Sequence, residues 1–473
     1  MAAQGAAAAG TGRAALLSGW GRAMASQARL VSLRSGAPES DVAEVMCDAQ
    51  AGFVARGLGR SYGDAAQCGG GTVLDCTALD RILRIDAEAG WADVQAGASL
   101  DRLMRATLPL GRFVPVTPGT RQVTIGGAIA ADIHGKNHHV AGAFGTHVLR
   151  LRLATPAGVV EVGPDSGAEL FWATVGGMGL TGVILSARVS LLPVESSAVR
   201  VDTERASDLD DLLEKMERGD QGYRYSVAWI DCLARGRNLG RGVLTRGDHA
   251  RREDLSPSWQ GDPLRLPSRP LLTAPPAPSG LLNRFTVAAF NEAWYRKAPK
   301  RETGRIVALQ SFFHQLDAVA GWNRLYGPRG FLQYQMVVPF GSEGTLADIL
   351  QRLAGARCAS FLGVLKRFGP GDPAPLSFPT AGWTLALDLP VGPRVLGPLL
   401  DELDVLVTEA GGRVYLAKDS RLRPELLAAQ YPRLEQWRRT RQRADPRDVL
   451  CSDLCRRLDL AGHHGGPPQR EAS

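Results

Sequence analysis

The stretch from Pro118 to His147, PGTRQVTIGGAIAADIHGKNHHVAGAFGTH, concentrates glycines, small residues and histidines. Gly126 and Gly127 follow a short β-branched run and precede several alanines, so the backbone here can approach something bulky and flat. The pattern predicts a cradle for a cofactor. The segment His134–His139 then supplies five polar side chains within six positions, which indicates a reacting centre beside the cradle.

A second glycine-rich segment, RGLGRSYGDAA at Arg56–Ala66, follows the strand-like run Gly52–Ala55. Its glycines, Gly57, Gly59 and Gly63, are spaced so that backbone amides can converge on one point. Such nests of amides bind pyrophosphate. The two segments together predict an elongated ligand that carries phosphates.

Composition sets outer limits on the class of protein. At 473 residues the chain can bury a large core and form two or three domains. Its 44% hydrophobic and 22% charged residues are typical of globular proteins, and no apolar run approaches the roughly 20 residues needed to span a bilayer. The seven cysteines show no CxxC spacing, which argues against a zinc site or disulfide framework, and all are predicted to be reduced.

The N-terminus and the net charge bear on targeting and partners. The first twenty residues resemble a secretory signal only superficially, because Gly10–Arg13 interrupt a short apolar core. Residues 1–13 and 461–473 are predicted to be disordered. The net charge of +7 could indicate a nucleic-acid partner, but the basic residues are scattered and form no nucleic-acid motif. An anionic lipid or phosphate suits the charge better.

The first half of the chain mixes helical and strand patterns. Apolar spacing predicts a helix over Pro38–Ala49 and another over Leu100–Leu108, with Ser99 as the N-cap of the second. Short strands are predicted at Val73–Leu74, Ile82–Ile85 and Trp91–Val94. This mixture is typical of an α+β protein.

Further along, the glycine density falls and a second region begins. A helix is predicted near Leu209–Met216 and a strand over Tyr223–Ile230. The segment Ser256–Gly280 is too rich in proline for regular structure and is predicted to be a mobile loop. Helix and strand patterns resume at Leu282–Lys297 and Arg305–Phe313, so one domain is expected to span the loop.

A GxGxxG motif at Gly177, Gly179 and Gly182 matches the dinucleotide fingerprint but has the wrong context. A Rossmann loop follows a strand and opens a helix. Here a helix-like ELFWATV precedes the glycines and a β-rich GVILSARVSLLPV follows them. The motif is therefore not expected to bind a nicotinamide cofactor.

Three later segments with strand patterns are FLQYQMVV, SFLGVLK and GWTLALDL. Because side chains alternate between the two faces of a strand, each segment has one face with polar side chains, which we call the wet face. The residues on these faces include Gln333, Gln335, Lys366, Thr384, Ala386 and Asp388. One interpretation is that the faces simply meet solvent, as antiparallel sheets often do. The other is a sheet that roofs a cofactor and presents these side chains to a ligand.

Several long segments carry a specific resemblance. They are GLGRSYGD, PGTRQVTIGGAIAADIHGKNHH, ELFWATVGGMGLTG, WYRK, FLQYQ, APLSFP and YLAKDSR. Their sequence and order resemble FAD-binding proteins of the vanillyl-alcohol oxidase type and, within them, the family of decaprenylphosphoryl-β-D-ribose 2-oxidases. The resemblance runs from about Leu17 to the C-terminal region.

This resemblance implies an α+β flavoprotein of two domains. The FAD-binding domain would be discontinuous, formed by residues 14–196 and 411–460. Residues 197–410 would form a substrate domain with an antiparallel sheet, interrupted by the mobile loop at 256–280.

The resemblance also implies which residues contact the ligands. The expected FAD contacts are Ala55, Arg56, Gly57, Leu58, Gly59, Arg60, Ser61, Tyr62, Gly63, Asp64, Ala65, Gly119, Thr124, Ile125, Gly126, Gly127, Ala131, Asp132, Ile133, His134, Ile184 and Tyr415. The expected substrate contacts are Lys136, Gln333, Gln335, Lys366, Thr384 and Ala386. Of these, Lys136 and Lys366 are the candidates to neutralise a phosphodiester.

Lys418 is the candidate catalytic cation. Hydride transfer from an alcohol to flavin N5 leaves negative charge on flavin N1 and O2, which a nearby cation stabilises. The alternative is a surface lysine paired with Asp419. The alcohol proton also needs an acceptor, and Tyr62, His134 and Lys136 are all chemically suitable.

His134 has two further interpretations. Its imidazole could merely hydrogen-bond backbone beside the ring system, without a part in catalysis. Together with His138 it could chelate a metal from one helical face, but Gly135 disfavours a helix and no carboxylate or cysteine completes the set. No metal is expected.

Two positions depart from the pattern of the superfamily. Members that link their flavin covalently often have a histidine in the first glycine segment, where this chain has Ser61 and Tyr62, so non-covalent FAD is expected. Closer relatives carry a cysteine and an asparagine on the wall strand, where this chain has Ala386 and Thr384.

The leading functional expectation is FAD-dependent oxidation of the 2-hydroxyl of a polyprenyl-phosphoryl ribose. The resemblance further implies an NADH-dependent short-chain reductase as partner, which completes an epimerisation to the arabinose donor. Alternatives are an alditol or sugar-lactone oxidase on the same fold and a non-catalytic polyprenyl-phosphate scaffold. A lipid-linked substrate implies peripheral contact with the inner membrane, on the cytoplasmic side by sequence, with the periplasmic side left open.

Overall fold

The computed structural model describes residues 12–36, 39–266, 272–358 and 360–462. Strands and helices alternate along this part of the chain, which confirms the predicted α+β class. The strands are β1 (Arg13–Ser18), β2 (Ala25–Ser32), β3 (Phe53–Arg56), β4 (Thr72–Asp75), β5 (Ile82–Asp86), β6 (Trp91–Gln95), β7 (Arg112–Phe113), β8 (Val148–Thr155), β9 (Gly158–Val162), β10 (Val183–Ser190), β11 (Leu192–Pro193), β12 (Ala198–Ala206), β13 (Tyr225–Ile230), β14 (Gly242–His249), β15 (Leu272–Thr273), β16 (Arg301–Ala308), β17 (Val319–Ala320), β18 (Phe331–Val338), β19 (Gly363–Phe368), β20 (Gly382–Pro390) and β21 (Arg413–Val414).

The helices are interspersed with these strands along the chain. They are α1 (Glu39–Cys47), α2 (Leu100–Thr107), α3 (Ile125–Ala130), α4 (His138–Ala141), α5 (Ala168–Thr174), α6 (Leu209–Gly219), α7 (Pro257–Gln260), α8 (Arg284–Lys297), α9 (Leu309–Phe313), α10 (Glu343–Gly355), α11 (Leu396–Glu409), α12 (Pro424–Gln430), α13 (Leu434–Ala444) and α14 (Asp453–Leu458). Among the described residues, no helix is both long and apolar enough to cross a bilayer.

Two smaller sheets form the N-terminal part of the fold. One has the order β1-β2-β4-β3, with β2, β4 and β3 parallel, and the other is the antiparallel sheet β5-β6-β10-β8-β9. The predicted helices and strands of this region are all present. Helix α2 begins as expected at Ser99, whose side chain accepts a hydrogen bond from the Arg102 amide, because Ser in an extended conformation satisfies an otherwise free amide of the first turn.

The later part of the chain is built on an eight-stranded antiparallel sheet of order β16-β12-β14-β13-β19-β20-β18-β21. Leu365, Leu385 and Leu387 on one face are buried in a core shared with α6, α10 and α11. The residues between them lie on the opposite face, as the period of two requires. That face lines the cavity of the candidate active site.

The strand register joins the three predicted wet faces into one surface. Gln333 lies opposite Asp388, and Gln335 lies opposite Ala386. Lys366 lies opposite Thr384 on the other side of the same central strand, β20. A shared face follows because β18, β20 and β19 are neighbours, so side chains that alternate in step line up across them.

The C-terminal segment returns towards the first two sheets. Strand β21 is the edge strand of the eight-stranded sheet and pairs with β18. Further along the chain, the Trp437 indole of α13 donates to the Ala173 carbonyl at 2.9 Å. The Cys451 amide then donates to the Phe53 carbonyl of β3 at 2.9 Å. These contacts agree with a discontinuous FAD-binding domain, although the boundaries at 14–196, 197–410 and 411–460 remain predictions.

Two terminal and loop predictions need revision. The N-terminal lead is not disordered up to residue 13, because β1 begins at Arg13 and pairs with β2. The proline-rich segment also contains short regular elements, α7 and β15, and is held at Pro263 and Arg265, whose carbonyls accept bonds from Ser197. Residues 1–11, 267–271 and 463–473, on which the other disorder and mobility predictions fall, lie outside the described part.

Candidate active site

A cavity of about 550 Å³ lies between the two glycine segments and the wet face of the eight-stranded sheet. Its volume is typical of a site for a cofactor or a drug-sized ligand. Both glycine segments line it, and so do strands β18, β19 and β20 and the Tyr415–Lys418 segment. The alternative in which the polar faces of these strands meet solvent is therefore wrong.

The two glycine segments touch at Gly57 and Thr124. A Cβ atom on Gly57 would stand 2.2 Å from the Thr124 hydroxyl, so no other residue fits there without displacing the second segment. Thr124 is the N-cap of α3 and accepts a hydrogen bond from the Gly127 amide. Gly126 also packs closely, since a Cβ on it would stand 3.0 Å from the Ala96 side chain. These glycines let neighbouring segments approach closely at the cavity wall, which suits a cradle for a flat ligand.

Most of the predicted FAD contacts line this cavity. They are Ala55, Arg56, Gly57, Leu58, Gly59, Arg60, Ser61, Tyr62, Ala65, Gly119, Thr124, Gly126, Gly127, Ala131, Ile133, His134, Ile184 and Tyr415. Gly63, Asp64, Ile125 and Asp132 do not. Gly63 lies against the Asp419 backbone, and Ile125 is buried in the core of the N-terminal part.

Asp64 supports the site from behind. It accepts two hydrogen bonds of 2.9 Å from the Arg457 guanidinium, which also pairs with Asp419 at 2.9 Å. Arg457 belongs to α14, so this bidentate ion pair connects the C-terminal helix, the first glycine segment and the segment that carries Lys418. The structure thus gives Asp64 a positioning role.

Asp132 holds the chain just before His134. It is fully buried with φ +41°, a left-handed conformation that few residues other than glycine, asparagine and aspartate adopt. Its carboxylate accepts hydrogen bonds from the Gly145 amide, at 2.8 Å, and from the Ser377 hydroxyl. Burial raises the pKa of Asp132 well above its usual value. The neighbouring Ala131 carbonyl accepts from the Tyr415 hydroxyl at 2.7 Å.

His134 lies at the centre of a polar chain. Its Nε2 is 2.8 Å from the Gln335 side-chain nitrogen, and its Nδ1 is 3.2 Å from the Lys366 ammonium nitrogen. Phe368 and Tyr415 flank the ring with centroids 4.7 and 5.7 Å away. Burial, and secondarily the charge of Lys366, lowers the pKa of His134 well below its usual value, so the imidazole is neutral at pH 7.

Three lysines line the same cavity. Burial lowers the pKa of Lys136 to about 7, that of Lys366 to about 8 and that of Lys418 to about 7. Lys366 lowers the pKa of Lys136 and Lys418 further through charge repulsion. Lys136 donates to the Phe312 carbonyl and lies 4.3 Å from the centroid of its ring. Burial thus destabilises the ammonium forms of three lysines in one cavity, and a bound anion would stabilise those forms.

Lys418 and Tyr62 are in direct contact. The Lys418 nitrogen lies 3.9 Å from the centre of the Tyr62 ring, a cation–π distance. Asp419 instead pairs with Arg457, so the alternative of a surface Lys418–Asp419 pair is wrong. Burial raises the pKa of Tyr62 well above 10, and its phenol therefore stays protonated at neutral pH.

Asp388 lies behind this pair on β20, outside the cavity lining. It accepts a hydrogen bond from Gln333, which also hydrogen-bonds Tyr62. Burial raises the pKa of Asp388 to about 7, opposed by Gln333 and by the positive charge of Lys418. Sequence reasoning placed Asp388 on the wet face but gave it no function. Its position on the same face as Gln333 was the available signal.

The polar cluster around His134 divides into two parts. His134 and Lys136 line the cavity, whereas the next three side chains bind backbone elsewhere. Asn137 donates to the Pro115 carbonyl at 2.8 Å, His138 accepts from the Gly369 amide, and His139 is 3.0 Å from the Tyr223 carbonyl. The prediction of a reacting centre therefore applies to only two of the five groups.

The predicted substrate contacts also divide. Lys136, Gln333, Gln335, Lys366 and Ala386 line the cavity. Thr384 does not, but its hydroxyl is 3.3 Å from the Gln335 amide nitrogen and donates to the Met336 carbonyl at 2.9 Å. Thr384 thus contacts the lining through Gln335.

The sequence did not predict several of the residues that line the cavity. Trp20 lies under the Arg60 guanidinium, 3.8 Å from the ring centre, and Phe290 and Trp294 come from α8. The WYRK segment contains Trp294 and was noted only as a matching motif. Gly179 and Gly182 of the GxGxxG motif also line the cavity, after α5 and before β10, which confirms the predicted order of helix, glycines and strand.

The comparisons with known proteins agree with this geometry. Residues 29–163 match the family model described as FAD binding domain. Together with the glycine cradle and the antiparallel sheet that covers it, this match defines an FAD-dependent oxidoreductase of the vanillyl-alcohol oxidase type.

The relatives define the family more narrowly. The chain is 46% identical over 453 residues to decaprenylphosphoryl-beta-D-ribose oxidase of Mycolicibacterium smegmatis, covering 94% of this chain and 97% of the relative. It is 45% identical over 372 residues to an uncharacterised Streptomyces coelicolor protein, covering 76% of this chain and all of that one. L-gulonolactone oxidase of Scyliorhinus torazame is 30% identical over 172 residues, 34% of this chain and 37% of that enzyme. The chain belongs to the decaprenylphosphoryl-β-D-ribose oxidase family.

Proposed function

We propose that this chain oxidises the 2-hydroxyl of a polyprenyl-phosphoryl ribose to a ketone. The observation that carries the proposal is the group of three buried lysines, Lys136, Lys366 and Lys418, in the cavity that the FAD cradle borders. An anionic substrate raises their lowered pKa values again, so binding of a phosphodiester is favoured here. The relative from Mycolicibacterium smegmatis is named for such a substrate.

The residues present fit FAD. Gly57, Gly126 and Gly127 contribute backbone without side chains to that wall of the cavity. Arg56–Tyr62, Gly126, Gly127, Ile184 and Tyr415 would hold the cofactor. FAD, when bound, takes up the hydride that leaves the alcohol carbon.

We infer that FAD binds non-covalently, and the same lining supports this. The first glycine segment contributes no histidine or cysteine to it. Cys76 does line the cavity, but burial raises its pKa to about 12, so the group is a thiol rather than a nucleophilic thiolate.

We assign Lys418 the electrostatic part of the reaction. Negative charge grows on the cofactor as the hydride arrives, and a cation held in a dry cavity stabilises it without reorganisation. The Tyr62 ring and the nearby Asp388 both favour the ammonium form of Lys418.

The proton acceptor we propose is Lys366, supported by His134. Thr384 donates its proton to Met336, so it accepts from Gln335, which orients the amide nitrogen of Gln335 towards His134. A neutral imidazole that accepts at Nε2 carries its proton on Nδ1.

That tautomer favours the neutral amine form of Lys366. Nδ1–H of His134 can donate only to a neutral amine, and the lowered pKa of Lys366, about 8, gives it a neutral fraction near physiological pH. A neutral amine with a pKa close to neutrality is a competent general base for the hydroxyl proton. Tyr62 is unsuited to this role because its phenol is protonated. Lys136 is left to pair with the phosphate.

An alditol or sugar-lactone oxidase is the alternative within the same fold. The similarity to L-gulonolactone oxidase covers only about a third of each chain. A neutral sugar also gives no reason to bury three lysines in one cavity. A non-catalytic scaffold is disfavoured because the chain belongs to a family of oxidases.

The partner and the location also belong to this proposal. Inversion of the alcohol needs a second, reducing enzyme, for which an NADH-dependent short-chain reductase is suited. A lipid-linked substrate implies peripheral contact with the inner membrane. The proline-rich segment Ser256–Gly280 is a candidate for that contact because its sequence mixes leucines with arginines, but Leu266 packs on the core. Leu272 is exposed, while Arg269 and Leu271 lie outside the described residues.

The test has two stages. The purified protein should be yellow and should release intact FAD on denaturation, leaving the precipitated polypeptide colourless. Anaerobic mixing with a polyprenyl-phosphoryl ribose should then bleach the flavin far faster than free alditols or lactones do. Faster bleaching by a neutral alditol would refute the proposed substrate while leaving the FAD assignment intact.

A further inference from the structure

Helix α8 exposes aromatic side chains that most soluble helices would bury. It packs on the protein through Val287 and through Asn291, whose side chain donates to Asp231 at 2.7 Å. Phe285, Phe290 and Trp294 are 70%, 43% and 40% exposed. Large exposed aromatic residues that cluster on one surface mark a site for an apolar partner.

Two of these three aromatic residues also belong to the cavity. Phe290 and Trp294 line it, whereas Phe285 does not. Their rings stack with centroids 5.9 Å apart and an angle of 17°, and Phe361 meets Phe290 edge-on at 5.8 Å. Residues that line a cavity and are also substantially exposed lie at its mouth. We call Phe290, Trp294 and Phe361 the aromatic rim.

The wall between this rim and the lysines changes from charged to apolar. Lys366 and Val364 share one face of β19, Leu362 directly precedes that strand, and all three line the cavity. Residues on one strand face recur about every 6.6 Å, so Val364 lies about 7 Å along the strand from Lys366, and Leu362 lies beyond Val364. Leu362 adjoins Phe361 of the rim. The gradient suits a molecule with an anionic head inside and a hydrocarbon chain leading out.

We propose that the aromatic rim is the exit through which the polyprenyl chain of the substrate leaves the cavity. The inference rests on the proposed function, because it takes a prenyl phosphate as the ligand. The occupant follows from continuity: Val364 and Leu362 line the cavity beside Lys366, and Leu362 adjoins Phe361, which contacts Phe290, so the chain of an anion bound at the lysines has an apolar path to the rim. A chain longer than this path continues beyond the rim.

The rim should therefore contribute to affinity only when the chain is long enough to reach it. In Phe290→Gln/Trp294→Gln, two aromatic contacts are replaced by polar ones, and KM for a decaprenyl substrate should rise about tenfold or more. KM for an analogue with a single isoprene unit should stay within about twofold, and kcat should change little for either.

Phe285→Gln is the matched control, since it lies on the same helix, is more exposed and does not line the cavity. It should leave both KM values unchanged in detergent solution. The single variant Trp294→Gln should show the same chain-length dependence, with flavin absorbance and circular dichroism confirming that each protein is folded and loaded.

Equal loss of affinity for the long and short substrates, or none for either, would overturn the exit. So would an effect of Phe285→Gln equal to that of the rim variants, which would indicate membrane docking by the whole helix surface instead. Failure of the unaltered protein to oxidise either prenyl substrate would refute the proposed function itself.

Discussion

The side-chain nitrogen of Gln335 lies 2.8 Å from Nε2 of His134, which makes that ring nitrogen a hydrogen-bond acceptor. The orientation of the amide depends on Thr384, whose own proton is committed to the Met336 carbonyl. A residue that never reaches the cavity therefore determines which nitrogen of His134 carries the proton. Through that proton we infer that it favours the neutral amine of Lys366, whose pKa burial lowers to about 8.

Thr384→Val should test this dependence, because it keeps the shape and removes the hydroxyl. The amide of Gln335 can then rotate, and Nδ1 of His134 becomes free to accept from an ammonium on Lys366. The pKa of Lys366 should rise, so the flavin reduction rate should reach its plateau at a higher pH. At pH 7 we expect a loss of about five- to tenfold, the value of one hydrogen bond. Stopped-flow reduction across pH 6 to 10 measures it.

Thr384→Ser is the matched control and should restore both the rate and its pH dependence. The imidazole nitrogen chemical shifts of His134 should report Nδ1–H in the unaltered protein and the serine variant, and a mixture in the valine variant. A valine variant that slows reduction with no change in pH profile or tautomer would show that Thr384 is merely structural.

Lys418→Ala should impair reduction far more than binding. Loss of a preorganised cation at the developing charge costs about 3 kcal/mol, or more than 100-fold in the reduction rate at saturating substrate. Lys136→Ala should instead raise the substrate Kd with a smaller effect on that rate. Near-normal reduction in the Lys418 variant, at full FAD content, would contradict the role assigned to it.

Asp388 should make the stability of the protein depend on pH. Its pKa is raised to about 7 in the folded chain, against about 3.9 in an unfolded one. The folded state thus binds more protons between these values, and its stability falls as the pH rises from about 4 to about 7. Asp388→Asn should remove this slope and raise the free energy of unfolding at pH 8 by up to about 4 kcal/mol.

Urea unfolding of the FAD-loaded protein at pH 5 and pH 8 measures the difference. Asp165→Asn, at an exposed position, is the control and should leave the pH slope unchanged. If Asp388→Asn had the same slope as the unaltered protein, the carboxyl would already be ionised when folded.

Sequence patterns predicted much of the fold because side-chain alternation, capping and turn geometry depend on residues that are near neighbours in the chain. Alternation in β18, β19 and β20 identified the face that lines the cavity, since a strand buried on one side must alternate. The cap at Ser99 and the order of helix, glycines and strand around Gly179 were also readable, because capping and turn geometry involve near neighbours in sequence.

The roles of individual side chains in the site were harder to predict from the sequence, because they depend on contacts between segments that are distant in the chain. Asp64 and Asp132 fall inside the matching motifs, yet their partners are Arg457 and Ser377, several hundred residues away in the chain. No pattern near His138 revealed that it binds the Gly369 backbone rather than the ligand. The sequence therefore identified the segments of the site better than the function of each side chain.

The division of labour between two proteins gives the last prediction. Inverting a secondary alcohol requires oxidation to a ketone and then delivery of hydride to the opposite face. In the described residues the GxGxxG motif lies between α5 and β10 and contributes Gly179 and Gly182 to the flavin cavity, so it does not form a Rossmann site. We expect a polyprenyl-phosphoryl ribose alone to bleach the flavin and yield a 2-keto product, while NADH alone leaves the flavin oxidised. The arabinose epimer should appear only when an NADH-dependent reductase is added. Epimer formation by this chain with NADH and no second protein would contradict both the assigned partner and the interpretation of the glycine motif.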